Sequence, residues 1–152
     1  MGNTLLILSM ALVLVSCSKQ DSTNSESKKS VTITQLASQA DFDIATVAMG
    51  GKVYNKNCAS CHGMKAEGNP NWRKRKPDGK LLPPPLNGSG HTWHHPKALL
   101  VSIISNGTVI QGGEMPAWGD KLSAQEIDAV ILWAQSKWPE EIYKSWLEVT
   151  KR

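Results

Sequence analysis

Cysteine is scarce in this chain of 152 residues, which contains only three. Cys58 and Cys61 form the one close pair, and no second pair completes the four ligands that a structural zinc site needs. No apolar strand precedes Cys58, as the redox dithiol of a βαβ domain would require. A structural disulfide stays open as an alternative, but it gives the adjacent His62 no role.

Basic residues are absent from the first four positions, ahead of an apolar run from Leu5 to Val15. The run is too short to span a bilayer and matches the apolar core of a secretion signal. It ends in Leu14-Val15-Ser16-Cys17, which resembles the lipobox of bacterial lipoproteins. The resemblance implies a signal peptide at 1–16 and a lipidated Cys17; the alternatives are a plain secretion signal cleaved elsewhere or an uncleaved anchor. We expect an exported protein that is lipid-anchored to a bacterial membrane, facing the periplasm or the cell exterior.

Apolar residues are also lacking from Ser18 to Ser30, where the chain is polar and rich in serine. Such a stretch cannot bury enough surface to fold, so residues 17–40 are predicted to form a flexible tether that begins at the lipidated cysteine. Residues 41–152 are then expected to form one folded domain, of a size that supports a modest core.

Alternating apolar and polar residues, the pattern of a half-buried strand, do not occur over a useful length. Helical spacing occurs instead, and the sequence predicts an all-α fold. The first helix, at 43–57, contains two adjacent glycines, Gly50 and Gly51, which each cost about 1 kcal/mol relative to alanine. This cost predicts that another element approaches the backbone closely there. The face expected to be buried consists of Ile44, Val47, Ala48, Gly51 and Tyr54.

The last helix of the domain's core has the clearest signals. Ser123 and, three residues later, Glu126 form the sequence of a capping box. Pro139 cannot continue a helix, so we expect the helix to stop at Trp138. Its predicted core face is Ile127, Val130, Ile131, Trp133 and Ala134.

Two further helices are predicted on either side of this one. The earlier runs from about Pro96, a good first-turn residue, to the stop signal Asn106-Gly107. The later is a short extra helix over 140–148. Their expected apolar faces are Leu99, Leu100, Ile103 and Ile104 in the earlier helix, and Ile142, Trp146 and Leu147 in the later one.

Cys58-Ala59-Ser60-Cys61-His62 is the Cys-x-x-Cys-His sequence typical of covalent haem attachment. Two thiols one helical turn apart can reach the vinyl groups on one edge of a porphyrin. The next residue then brings its imidazole, a good iron ligand when neutral, to the metal. The sequence therefore favours one covalent haem c over the other three uses of the cysteine pair.

Residues outside this sequence resemble those of a class I cytochrome c. Gly50 and Tyr54 precede Cys58 by eight and four residues, as in that family. The family's Pro-x-Leu-x-Gly occurs as Pro84-Pro85-Leu86-Asn87-Gly88, and its Met-Pro segment as Met115-Pro116-Ala117-Trp118. The similarity runs from about residue 43 to 138, in the expected order. It implies a small all-helical domain around one haem, in which the last helix crosses the first and Trp133 packs against Gly50 and Gly51.

The resemblance also implies roles for individual residues. His62 is expected to be the proximal ligand of the iron, with the Pro84 carbonyl accepting its free ring N–H. Met115 is the candidate distal ligand, because it lies in a glycine-rich loop without helical spacing; the alternative is an ordinary core methionine. Further candidates for the haem pocket are Tyr54, Pro84, Leu86, Trp93 and Trp118.

With His/Met ligation both axial positions are filled, so we expect an electron carrier and not an enzyme, either alone or as the haem subunit of a larger oxidoreductase. One alternative is a haem enzyme whose sixth position is open or filled by histidine. Another is a copper-handling or sensing module built from His91, His94 and His95. The simpler interpretation of that segment is that Trp93 covers a haem edge while the histidines bind propionates or solvent.

A basic stretch supplies much of the formal net charge of +4. Arg73 to Lys76 follow Trp72, and Lys80 lies shortly after them. This segment is either a solvated loop or a docking patch for an acidic redox partner, whose approach it would accelerate. Anionic lipid is a further possible contact for a lipid-tethered domain. Nucleic acid is not an expected partner of an exported haem protein.

Overall fold

Five α-helices form the framework of residues 42–151, the part of the chain that the computed structural model describes. The predicted signal peptide, Cys17 and the tether lie outside the described residues. Between 42 and 151 there is no strand beyond one isolated antiparallel bridge between Arg75 and Leu81. The all-α prediction is therefore confirmed. The helices are α1 Ile44–Asn57, α2 Ala59–His62, α3 Lys97–Asn106, α4 Ala124–Gln135 and α5 Glu140–Thr150, with short 3₁₀ turns at Thr92–His94 and Val109–Gln111.

Helices α1 and α4 cross at the predicted glycines. A Cβ atom added to Gly50 would overlap the carbonyl of Ala129 and lie 2.9 Å from the Cβ of Trp133. At Gly51 it would lie 3.0 Å from the indole nitrogen of Trp133. The Trp133 ring then continues along α1 and stacks on Tyr54, with ring centroids 4.0 Å apart. The two glycines thus permit the backbone approach that their helix cost predicted.

Helix α4 begins with the predicted capping box. The Glu126 N–H donates to Ser123 Oγ over 3.3 Å, and the Ser123 N–H donates to the Glu126 carboxylate over 2.9 Å. The helix ends at Gln135, three residues before the predicted stop at Trp138. The N–H groups of Lys137 and Trp138 instead bond to carbonyls three residues back, which tightens the chain into a turn ahead of Pro139.

Four predicted core positions are wrong, because their side chains are exposed. Ile44 is 76% exposed, because α1 meets α4 at Gly50 and its first turn extends beyond that crossing. Leu99 is 41% exposed, since α3 turns the neighbouring Leu100 towards α4, where it packs with Ile127 and Ile131. Ala48 of α1 is likewise exposed, and so is Leu147 of α5, of which 38% is exposed.

The carboxyl-terminal tryptophans fasten the segment between Leu86 and His95 to the helical core. Trp138 donates its indole N–H to the Leu86 carbonyl over 2.8 Å, and Trp146 of α5 donates to the His95 carbonyl over 2.9 Å. Both side chains are buried, and their rings meet edge to face with centroids 6.0 Å apart. None of the helices between 42 and 151 has the length and hydropathy required to cross a bilayer.

Candidate functional site

The cysteine pair lies on a single helical turn. Cys58 ends α1 with its N–H bonded to the Tyr54 carbonyl over 2.8 Å, and α2 begins at the next residue. The Cys58 carbonyl then accepts from the N–H groups of Cys61 at 3.1 Å and His62 at 2.9 Å. Both thiols and the imidazole therefore come from one continuous turn of backbone.

Both cysteines are free thiols in the structure, so it does not support the disulfide alternative. Burial, followed by the nearby Cys61, raises the pKa of the Cys58 thiol to about 11. Cys58 is therefore protonated at neutral pH, unlike the reactive thiolate of a redox dithiol. Cys61 is exposed and His62 is half-buried.

His62 has one fixed hydrogen bond, to the carbonyl of Pro84. Its Nδ1 lies 2.9 Å from that oxygen, which can only accept, so Nδ1 carries the proton. The other ring nitrogen, Nε2, therefore has a free lone pair. Burial lowers the pKa of His62, although the bond to Pro84 acts in the opposite direction. The ring is neutral at pH 7 and suited to bind a metal through Nε2.

The loop after His62 brings Pro84 into position. Gly68 has a φ of +63°, and its N–H donates to the His62 carbonyl over 2.7 Å. A Cβ atom at Gly68 would overlap the Pro84 carbonyl group, so only glycine fits between the loop and the proline. The Leu86 N–H donates to the Ala66 carbonyl over 2.8 Å and holds the next residues in place.

Tyr54 is fully buried beside this turn and donates its hydroxyl hydrogen to the Gly63 carbonyl over 2.6 Å. Burial raises its pKa, so the phenol stays protonated. Leu86 and Cys58 pack on the buried cluster that contains Tyr54. The structure thus brings together five of the predicted site residues: Tyr54, Cys58, His62, Pro84 and Leu86.

Met115 and Trp118 lie on a second segment, which is bonded to the end of α3. The Met115 carbonyl accepts from the Thr108 N–H over 2.9 Å, and its N–H donates to the Thr108 hydroxyl over 3.2 Å. Trp118 donates its N–H to the carbonyl of Ile104 over 3.0 Å. Ile104 packs on the cluster around Tyr54, so the two segments share one core. Met115 itself is half-buried.

Thr108 was not among the residues expected from the sequence. A threonine directly after a helix-ending glycine is a signal for a hydroxyl that bonds to nearby backbone. Here the Thr108 hydroxyl accepts the N–H of Met115, seven residues further on.

The three histidines of the 91–95 segment pack against aromatic rings, and His91 also meets His95 edge to face with ring centroids 5.2 Å apart. His91 stacks on Trp72 and His94 on Trp93, with ring centroids 5.1 and 3.6 Å apart. Trp93 donates its indole N–H to the Gly90 carbonyl over 3.1 Å. Nowhere between residues 42 and 151 do three His, Cys, Asp or Glu side chains form a group able to hold a metal ion. The structure therefore does not support the three-histidine copper site or the zinc alternative.

Comparison with known proteins agrees with this arrangement. Residues 45–133 match the family model described as cytochrome c oxidase, cbb3-type, subunit III. The chain belongs to this family of c-type cytochrome domains. It is a monohaem class I cytochrome domain, and its cofactor is covalently bound haem c. The donor set fits this group, because two free thiols and a neutral imidazole share one turn. Haem-based electron transfer follows as its activity.

The matched relatives are mostly longer proteins. The cbb3-type oxidase subunit FixP of Azorhizobium caulinodans is 31% identical over 105 residues, 68% of this chain and 31% of the relative. Subunit CcoP of an Azospirillum species is 34% identical over 94 residues, 62% and 29% of the two chains. Chloroplastic cytochrome c6 of Chlamydomonas reinhardtii is 33% identical over 91 residues, 60% and 54%. The chain spans about a third of the oxidase subunits it matches. No solved structure matches significantly.

Proposed function

We propose that this cytochrome domain is a one-electron carrier of the cell envelope with His/Met axial ligation. Cys58 and Cys61 attach the haem, His62 is the proximal ligand and Met115 the distal ligand. The observation that carries the proposal is the hydrogen bond from His62 Nδ1 to the Pro84 carbonyl, beside two free thiols on the same turn. It fixes the ring tautomer and leaves Nε2 as the donor atom.

Support for Met115 comes from how its segment is held. Thr108 bonds to both the N–H and the carbonyl of this residue, so the loop has a defined path although it has no helical structure. The haem supplies a couple between ferric and ferrous iron, and a thioether ligand favours the ferrous form. Two ligands on firmly bonded backbone change position little between oxidation states, which suits a carrier.

The proposed setting is a bacterial membrane. Relatives are named as subunits of cbb3-type oxidases, and we propose that this chain likewise exchanges electrons with a membrane oxidoreductase. A lipid on Cys17 would hold it there. The proposed acidic partner meets Arg73, Lys74 and Arg75, which are exposed. The first of these cations makes a cation–π contact, since the Arg73 guanidinium lies 4.3 Å from the Trp72 ring centroid.

Potentiometry of the mature, haem-loaded protein tests the carrier proposal. A reversible titration with a one-electron slope, and low-spin spectra in both oxidation states, is the expected result. Cys58→Ala with Cys61→Ala should leave haem that acidified organic solvent extracts, whereas haem stays with the wild-type chain. High-spin ferric iron that turns over peroxide would contradict the carrier proposal and would indicate a haem enzyme.

A further inference from the structure

The basic residues after Trp72 form a closed hairpin, which we define as residues 69–83. The Asn69 N–H donates to the Pro83 carbonyl at its base over 2.9 Å. Near its tip the Lys76 N–H donates to the Lys80 carbonyl over 2.8 Å. Lys76 and Lys80 therefore project together from a turn whose backbone is held at both ends.

The tip of this hairpin makes an ion-pair network with a distant residue. Lys76 Nζ lies 2.6 Å from the Glu114 carboxylate, 38 residues away, and 3.7 Å from Asp78. Lys80 Nζ lies 3.8 Å from each of the same two carboxylates. Two cations and two anions alternate, so each charge has two neighbours of opposite sign.

Glu114 is the residue immediately before Met115. Met115 itself is bonded through its N–H and its carbonyl to Thr108, two residues after the end of α3. The base of the hairpin, in turn, leads directly into Pro84, the hydrogen-bond partner of His62. The hairpin therefore spans from the segment that orients the proximal ligand to the segment that carries the proposed distal one.

We propose that Glu114 is a positioning residue for Met115, and that the tip of the hairpin holds it there through Lys76 and Lys80. This rests on the proposed ligation by Met115. Lys76 and Lys80 thus act within the domain, and the surface that faces a redox partner consists of the other basic residues of the hairpin. An exposed single pair contributes little, but a network of four charges restrains the segment that follows Gly112 and Gly113, two residues that allow the backbone many conformations.

Imidazole binding to the ferric, haem-loaded protein tests the proposal, because imidazole must displace the distal ligand. Glu114→Gln should tighten imidazole binding by roughly two- to five-fold, the size expected of an exposed ionic network. The matched control is Asp128→Asn, which removes one negative charge and the 3.1 Å ion pair with Lys97. Lys97 begins α3, whereas the Met115 loop is bonded to Thr108 beyond the opposite end of that helix. That variant should bind imidazole as the wild type does. Added salt should tighten binding in the wild type and hardly affect Glu114→Gln.

Equal imidazole affinities for Glu114→Gln and Asp128→Asn would overturn the positioning role while leaving Met115 ligation intact. The sulfur-to-iron charge-transfer band of the ferric protein separates the two ideas. If the wild type shows the band and loses it as imidazole binds, ligation by Met115 is supported. The imidazole affinities of the variants then decide whether Glu114 positions Met115. If the wild type lacks the band, the proposed ligation and this inference fail together.

Discussion

His62 Nδ1 lies 2.9 Å from the carbonyl oxygen of Pro84, although 22 positions separate the two residues. The contact exists because the intervening chain reverses sharply: Ala66 and Gly68 have φ values of +57° and +63°. The hairpin then returns to Pro83, whose carbonyl accepts from Asn69. The orientation of the His62 imidazole thus depends on a backbone path well away from the Cys-x-x-Cys-His sequence.

Gly68 is the residue whose substitution should show this dependence. Gly68→Ala adds left-handed strain and an overlap with Pro84, and should lower the free energy of unfolding by about 2–4 kcal/mol. Gly79→Ala is the matched control. Gly79 has a φ of +82°, but an added Cβ would meet nothing within 4 Å, so about 1 kcal/mol is expected. Urea denaturation of the haem-loaded protein measures both, and equal losses would contradict the packing argument.

Thr108 should affect the Met115 loop through its hydroxyl group. Thr108→Val removes the acceptor of the Met115 N–H, at a cost of about 1 kcal/mol, equivalent to roughly five-fold tighter imidazole binding to the ferric protein. Thr108→Ser retains the hydroxyl and should bind imidazole nearly as the wild type does. The spectrophotometric titration that measures both variants would refute the role of this bond if serine and valine gave the same affinity.

The histidine segment predicts a dependence of stability on pH. Burial, followed by the charges of His95, His94 and Arg73, lowers the pKa of His91 from its ordinary 6.5, and burial followed by His94 lowers that of His95. The unfolded chain therefore binds protons more readily than the folded one. The contribution of these two histidines to the free energy of unfolding should be fully present above pH 6.5, and it should be lost as the pH falls below that value.

His91→Gln combined with His95→Gln tests this pH dependence. The double variant should lose less unfolding free energy than the wild type when the pH is lowered from about 7.5 to 5. Urea denaturation at a series of pH values gives both curves. Parallel curves would show that these two rings do not carry the effect.

Much of the helical framework could be predicted because its signals are local. The capping box at Ser123 and Glu126 lies within four residues, and the cost of Gly50 and Gly51 in a helix indicated a close crossing. Ile44 was misassigned because helical spacing gives a face but not the length over which a partner covers it. Its exposure follows from where α4 crosses α1.

Within the candidate site, too, local signals could be recognised in the sequence and contacts between distant residues could not. The Cys-x-x-Cys-His sequence is contiguous and has its own spacing rule, so Cys58, Cys61 and His62 could be proposed as haem-binding residues from the sequence alone. The pairing of Lys76 with Glu114 could not, since 38 residues separate them and nothing local in either segment indicates the other. From the sequence, all the basic residues of the hairpin were therefore candidates for a docking patch. The fold shows that two of them, Lys76 and Lys80, are paired with carboxylates of the same domain.

The ferric near-infrared spectrum of the mature, haem-loaded protein is the most direct test of the central claim, His62/Met115 ligation. The account predicts a weak sulfur-to-iron charge-transfer band that Met115→Ala abolishes. Met64→Leu, at a methionine that is 66% exposed, should leave the band unchanged. A low-spin spectrum without the band would instead indicate a histidine ligand, and a high-spin spectrum an open iron; either result would contradict the account.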